Sequence, residues 1–108
     1  MKAFLDQIRA LIATGNYEIT AHAFGELNND GLLAEDVVSG IVDAVVVEAY
    51  PDYYKGPSIL VLQNDRYGEP LHALWGLAKG MTSPAYLVTA YRPDPDRWTT
   101  DFLRRKLK

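Results

Sequence analysis

Residues 58–78 read SILVLQNDRYGEPLHALWGLA. Two apolar runs flank a polar cluster, Asn64-Asp65-Arg66-Tyr67-Gly68, whose side chains suit a hairpin turn. The first run, Ser58 to Gln63, is rich in Ile, Leu and Val. The second, Pro70 to Ala78, alternates: Leu71, Ala73, Trp75 and Leu77 share one face, and His72, Leu74 and Gly76 the other. A connection this short forces the two strands antiparallel. On the N-terminal side, Ala44 to Tyr50 is β-rich through Val45, Val46 and Val47 and stops at Pro51-Asp52. On the C-terminal side, Lys79 to Pro84 turns the chain into a further strand, Ala85 to Tyr91, closed by Pro93-Asp94-Pro95-Asp96. The tail from Trp98 to Lys108 is expected to add a short helix.

The first half has a different period. Phe4, Leu5, Ile8, Leu11 and Ile12 form one stripe of a 3.6-residue repeat, and Gly15 supplies a left-handed residue to end that helix. Tyr17 to Ile19 is a short extended piece. Thr20 then reads as the N-cap of a second helix carrying Ala21, His22, Ala23, Phe24 and Leu27, which stops at Asn28-Asn29-Asp30-Gly31. A third helix opens at about Leu33, with Glu35 and Asp36 favourably placed in its first turn. Helices followed by strands give the α+β class, here a single domain over 1–108 with N-terminal helices and a four-stranded antiparallel sheet.

Composition narrows the function. The 108 residues are 48% hydrophobic and 23% charged, as in a globular domain, and contain no cysteine. Disulfides, thiol chemistry and Cys-ligated metals are therefore excluded. Asp6 and Arg9 interrupt the apolar start, and no run approaches the ~20 residues of a membrane span. The expectation is a cytoplasmic protein with no membrane partner and no cofactor. The net charge of −3 is uneven: Met1 to Gly56 carries −6 and Pro57 to Lys108 carries +3. An overall field attracting nucleic acid is thus absent, but a local basic surface can form in the second half.

Chemistry-bearing residues are few. His22, in the first turn of the second helix, faces the positive end of a macrodipole that favours a neutral ring able to act as a base. His72, on a central strand, lies opposite Ala90 or Tyr91, depending on a one-residue slip of register. For either histidine the structural alternative is a packed ring that orients its surroundings. Arg66, Lys79, Arg92, Arg97, Arg104, Arg105 and Lys106 are candidate phosphate contacts, and Arg92, directly after the last strand, is the best placed. Tyr50, Tyr53, Tyr54, Tyr67, Tyr91 and Trp98 are aromatic groups of a kind that stacks on bases. No phosphate-binding glycine loop, dinucleotide fingerprint or nucleophile elbow occurs, and nothing in the spacing calls for a metal.

Several short segments, in order, resemble a known pattern. They are Ile19-Thr20-Ala21-His22-Ala23, Tyr50-Pro51-Asp52, Pro57-Ser58 before an apolar strand, and Pro70-Leu71-His72. Thr89-Ala90-Tyr91, Pro93-Asp94-Pro95, Trp98 and the basic Arg104-Arg105-Lys106 complete it. Over roughly 19–106 the chain resembles the bacterial family known as domain of unknown function 4258, whose layout is similar to that of RelE-like ribonuclease toxins. The resemblance implies a metal-independent endoribonuclease or a degenerate relative of one, with RNA and an antitoxin-like protein as partners. It implies His22 and His72 as acid–base groups, Arg92 as phosphate clamp, and Tyr91 and Trp98 as stacking or orienting residues. Where the family places two arginines, four and eight residues after its first histidine, this chain has Glu26 and Asp30. Two cations exchanged for anions imply weak RNA affinity. The competing expectation is a non-catalytic module that binds a basic partner protein through Glu26, Asp30, Glu35, Asp36 and Asp43.

Overall fold

The computed structural model of the protein describes residues 2–107. Helix α1 spans Lys2–Ala13 and buries Leu5, Ile8 and Ile12. Gly15, at φ 75°, ends it as the stripe requires. Strand β1, Tyr17–Ile19, is followed by α2, Ala21–Asn29, which the Thr20 hydroxyl caps by accepting from the Ala23 N–H. Helix α3 is Ala34–Ser39, with Leu33 as its N-cap, and a 3₁₀ turn over Gly40–Asp43 leads into the sheet. Strands β2 (Val45–Tyr50), β3 (Ser58–Asn64), β4 (Pro70–Gly76) and β5 (Ala85–Tyr91) follow. No helix among the described residues is long and apolar enough to cross a membrane.

The class is α+β, but the sheet differs from the four-stranded antiparallel expectation. It has five strands in the order β1-β5-β4-β3-β2, and β1 runs parallel to β5. Three residues are too few to announce a strand by alternation, and the partner of β1 lies beyond all the helices. β1 pairs only with Ala85, Tyr86 and Leu87. Past that point the neighbour of β5 is α2: Thr20 bonds to the Leu87 and Val88 carbonyls, and Asp30 at the far end accepts from the Arg92 N–H at 2.7 Å. The helix covers an edge that would otherwise stay open.

The helical layer packs on one face of the sheet. Leu5, Ile8, Ala23, Leu27, Val37 and Ile41 meet Ile59, Val61, Leu71, Ala73, Trp75, Leu87 and Ala90 in one buried cluster. The alternation of β4 thus places Leu71, Ala73 and Trp75 inward and turns His72 and Leu74 to the opposite, outer face. Register on β5 is set by a bulge. Trp75 pairs with Leu87 but Leu74 pairs with Thr89, so Val88 is an extra residue. Leu87 and Ala90 can therefore both face the core, and Tyr91 comes opposite His72 on the outer face. A second bulge, at Val47 in β2, brings Glu48 opposite Leu60 on that same face.

The tail does not form the expected helix. It folds back as a small loop closed by an antiparallel bridge between Trp98 and Arg105, with Thr99 N–H on the Arg104 carbonyl and Lys106 N–H on the Arg97 carbonyl. Asp101 accepts from the Thr99 hydroxyl and the Leu103 N–H, and Phe102 turns left-handed at φ 60°. Such side-chain-to-backbone bonds compete with helix formation. Trp98 is 3% exposed and packs edge-on against His72, with ring centroids 4.5 Å apart. Replacing Trp98 with Ala should therefore cost about 3–5 kcal/mol. A lower urea midpoint at unchanged m-value is the expected result, and an unchanged midpoint would show that the tail does not hold the outer face.

Candidate functional site

The outer face is organised around His72, which has no exposed surface. Its Nε2 lies 2.8 Å from the Phe102 carbonyl oxygen, and its Nδ1 3.2 Å from the Tyr91 hydroxyl. A carbonyl only accepts, so Nε2 carries the proton; Nδ1 of the neutral ring then accepts from the Tyr91 hydroxyl. Burial holds the imidazole below the usual histidine range, opposed in part by the Phe102 hydrogen bond and the Glu48 charge. Burial likewise pushes the Tyr91 phenol up.

The tail loop roofs this pair and is tied down on its far side. The Arg105 guanidinium lies 4.7 Å from the centroid of the Trp98 ring and makes a two-pronged bond to Glu48, each contact 3.0 Å. That bond keeps the Glu48 carboxyl below the usual carboxylate range and raises Arg105. The Tyr50 hydroxyl donates to the same carboxylate. Beside the roof opens a cleft of about 260 Å³ lined by Tyr91, Arg92, Asp94, Arg97, Trp98 and Arg105. Three arginines, two aromatic residues and Asp94 thus border a hollow beside the Tyr91–His72 pair. Arg97 is its least engaged cation: it is 83% exposed, and its carboxylate neighbour, Asp94, is 3.8 Å away.

Four of the five candidate residues, His72, Tyr91, Arg92 and Trp98, come together here. Arg92, however, is committed inward: its guanidinium reaches Asp65 at 2.6 Å and the Pro70 carbonyl at 3.0 Å. It locks the end of the β3–β4 hairpin, and its bond keeps the Asp65 carboxyl below the usual range. Asp30, where arginine was the family expectation, is also structural, because it accepts from the Arg92 backbone. His22 is the exception. It stands exposed on the first turn of α2, outside the residues that line the cleft.

A family model, Domain of unknown function (DUF4258), matches residues 19–92. The chain belongs to that family. No curated protein and no solved structure matches it. Within the DUF4258 segment lie His22, His72, Tyr91 and Arg92; Arg97, Trp98 and Arg105 of the cleft lie beyond its end. Sequence reading named Arg97 and Arg105 only as members of a basic set. The partner of Arg105 was out of reach, since Glu48 and Arg105 stand 57 residues apart and no local pattern joins them.

His72 gives this DUF4258 domain a defined pH response. The unfolded chain titrates near 6.5 and the folded ring below that, so between the two values the unfolded state binds more protons. Stability from this group is complete above pH ~6.5 and is lost as pH falls through the folded value. Urea midpoints at pH 7.5 and 5.5 should differ more for wild type than for His72→Gln. Equal slopes would mean that the ring is not held neutral.

Proposed function

We propose that this DUF4258 chain binds RNA in the arginine-lined cleft and is a RelE-like, metal-independent endoribonuclease or a degenerate relative of one. The observation that carries the proposal is the shared position of Tyr91: it is a lining residue of the arginine-bordered cleft, and its hydroxyl is bonded to a buried, neutral histidine. His72 itself, fully buried, acts through Tyr91.

The chemistry follows from that arrangement. A phosphodiester in the cleft meets chiefly the Arg97 guanidinium, and Arg105 only through the Nη1 edge outside its two-pronged bond to Glu48; these stabilise the charge developing on phosphorus. As the 2′-hydroxyl attacks, its proton passes to the Tyr91 oxygen while the Tyr91 proton passes to His72 Nδ1. The phosphorus–5′-oxygen bond breaks, and the proton returns from the pair, through a bound water, to the leaving oxygen. The products are a 2′,3′-cyclic phosphate and a 5′-hydroxyl, and Tyr91 and His72 regain their starting states. The Phe102 carbonyl on Nε2 and the Glu48 charge both favour the transient imidazolium. His22 has no step in this scheme.

The competing interaction module has fewer free anions than the sequence suggested. Asp30 is bonded to the Arg92 backbone and Asp36 to Arg66 at 2.9 Å.

RNA affinity is expected to be weak and to fall steeply with salt, with the Arg97→Gln variant showing a salt slope smaller by about one. Glu26→Arg should raise affinity; the same change at Asp30 would break its bond to Arg92 and is the wrong test. In the Glu26→Arg background, cleavage should survive EDTA, and Tyr91→Phe should reduce it at least ~100-fold without loss of binding. A folded Glu26→Arg protein that neither binds nor cuts RNA would overturn the nuclease reading in favour of the interaction module.

A further inference from the structure

A second hollow lies on the same outer face. It measures about 430 Å³ and is lined by Tyr50, Tyr53, Lys55, Ser58, Leu74 and Val88. That size and mix, apolar walls with a few polar groups, is typical of a small-ligand site. Tyr53 is 49% and Val88 36% exposed, so the aromatic and aliphatic walls stand open to solvent.

Three observations connect this groove to the arginine cleft. Leu74 is two residues along β4 from His72, about 7 Å at strand spacing, and on the same face. Val88, the bulged residue of β5, forms the groove wall, while Tyr91 on the same strand lines the cleft. Tyr50 edges the groove and donates to Glu48, which holds Arg105 of the cleft. The loop carrying Tyr53 is also fixed at its base. Gly56 has φ 130° and packs so close to the segment that leaves β4 that a Cβ would collide with the Leu77 carbonyl oxygen. The Lys79 N–H bonds to the Lys55 carbonyl, and Tyr53 lies against Tyr54 with ring centroids 4.9 Å apart.

A flat, partly apolar ring attached to a nearby anion suits this pair of hollows. We propose that the groove is a nucleobase subsite: an unpaired base of an RNA strand sits between Tyr53 and the Leu74–Val88 wall while its phosphate lies among the arginines. Lys55 at the rim complements the strand's charge. This inference rests on the proposed RNA binding and specifies its form, a single-stranded substrate read by base stacking and not by duplex shape.

The two readings separate in one NMR titration of the intact protein with three probes. D-ribose 5-phosphate should shift the cleft signals of Arg97 and Trp98 alone, adenosine the groove signals of Leu74 and Val88 alone, and adenosine 5′-monophosphate both. Tyr53→Ala, at an exposed loop site, should weaken adenosine binding about tenfold and leave ribose 5-phosphate unchanged. If adenosine leaves the groove signals in place, the base subsite is overturned whatever the cleft does. If only ribose 5-phosphate fails, the cleft reading falls and the groove stands as a base site. Groove signals that move with protein concentration before any probe is added would assign the groove to a second copy of the chain, and would overturn the inference as well.

Discussion

A buried imidazole must satisfy both ring nitrogens within the protein, because an unpaired one costs about 1–3 kcal/mol. In this chain that requirement organises the outer face of the sheet. One nitrogen takes the Tyr91 hydroxyl, which needs β5 to be in the right register. The other gives its proton to the Phe102 carbonyl, which needs the tail to fold back and pass through a left-handed residue. Trp98 then closes the remaining side of the ring. Register, bulge and tail conformation are thus conditions of a single buried group. Arg97 and Arg105 of the cleft stand where they do because the tail that carries them is pinned there.

The Val88 bulge deserves its place in that chain of causes. Without the extra residue, strict alternation would send Leu87 and Ala90 to opposite faces, since they are three residues apart. Both are fully buried in the core, so the strand must gain a residue between them. The same correction that fills the core delivers Tyr91 to His72 and opens Val88 toward the groove. Core packing and site geometry are consequences of one insertion.

How much of this was legible in the sequence follows from the range of the forces involved. Periodicity is local, and it placed the buried stripe of α1, the Thr20 cap, the four long strands and the inward set Leu71, Ala73 and Trp75. The register of His72 was open between Ala90 and Tyr91, because the bulge that resolves it is required by the packing of Leu87 and Ala90 and has no signature of its own. The three residues of β1 were too short for alternation, and their parallel partner lies beyond α2, α3 and the three strands β2 to β4. The tail from Trp98 to Lys108 was expected to add a short helix. Its actual course depends on Asp101 holding the Thr99 hydroxyl and the Leu103 N–H, and on Arg105 finding Glu48 across the sheet. Of the site, the aromatic and basic residue types were visible; which cations stay available was not, since Arg92 is neutralised by an aspartate on a different turn.

That distinction changes what the exchange of arginine for acid means. Asp30 does not simply repel phosphate: its carboxylate fixes the Arg92 backbone at the junction of α2 and β5, within one residue of Tyr91. An arginine there could not make that bond, so this chain has an anion supporting the position of its tyrosine where a cation was expected to hold substrate. Glu26, one turn earlier on α2, is partly exposed and has no such structural bond among the described residues, so its charge acts on the surrounding field. The two substitutions look alike in sequence and differ in kind. With Arg92 also engaged, the proposed RNA binding would draw its attraction for a polyanion chiefly from Arg97 and the tail, and its orientation from Tyr91, His72 and the aromatic wall around Tyr53. A site with few free cations and a stacking surface gains more of its selectivity from unpaired bases than from charge.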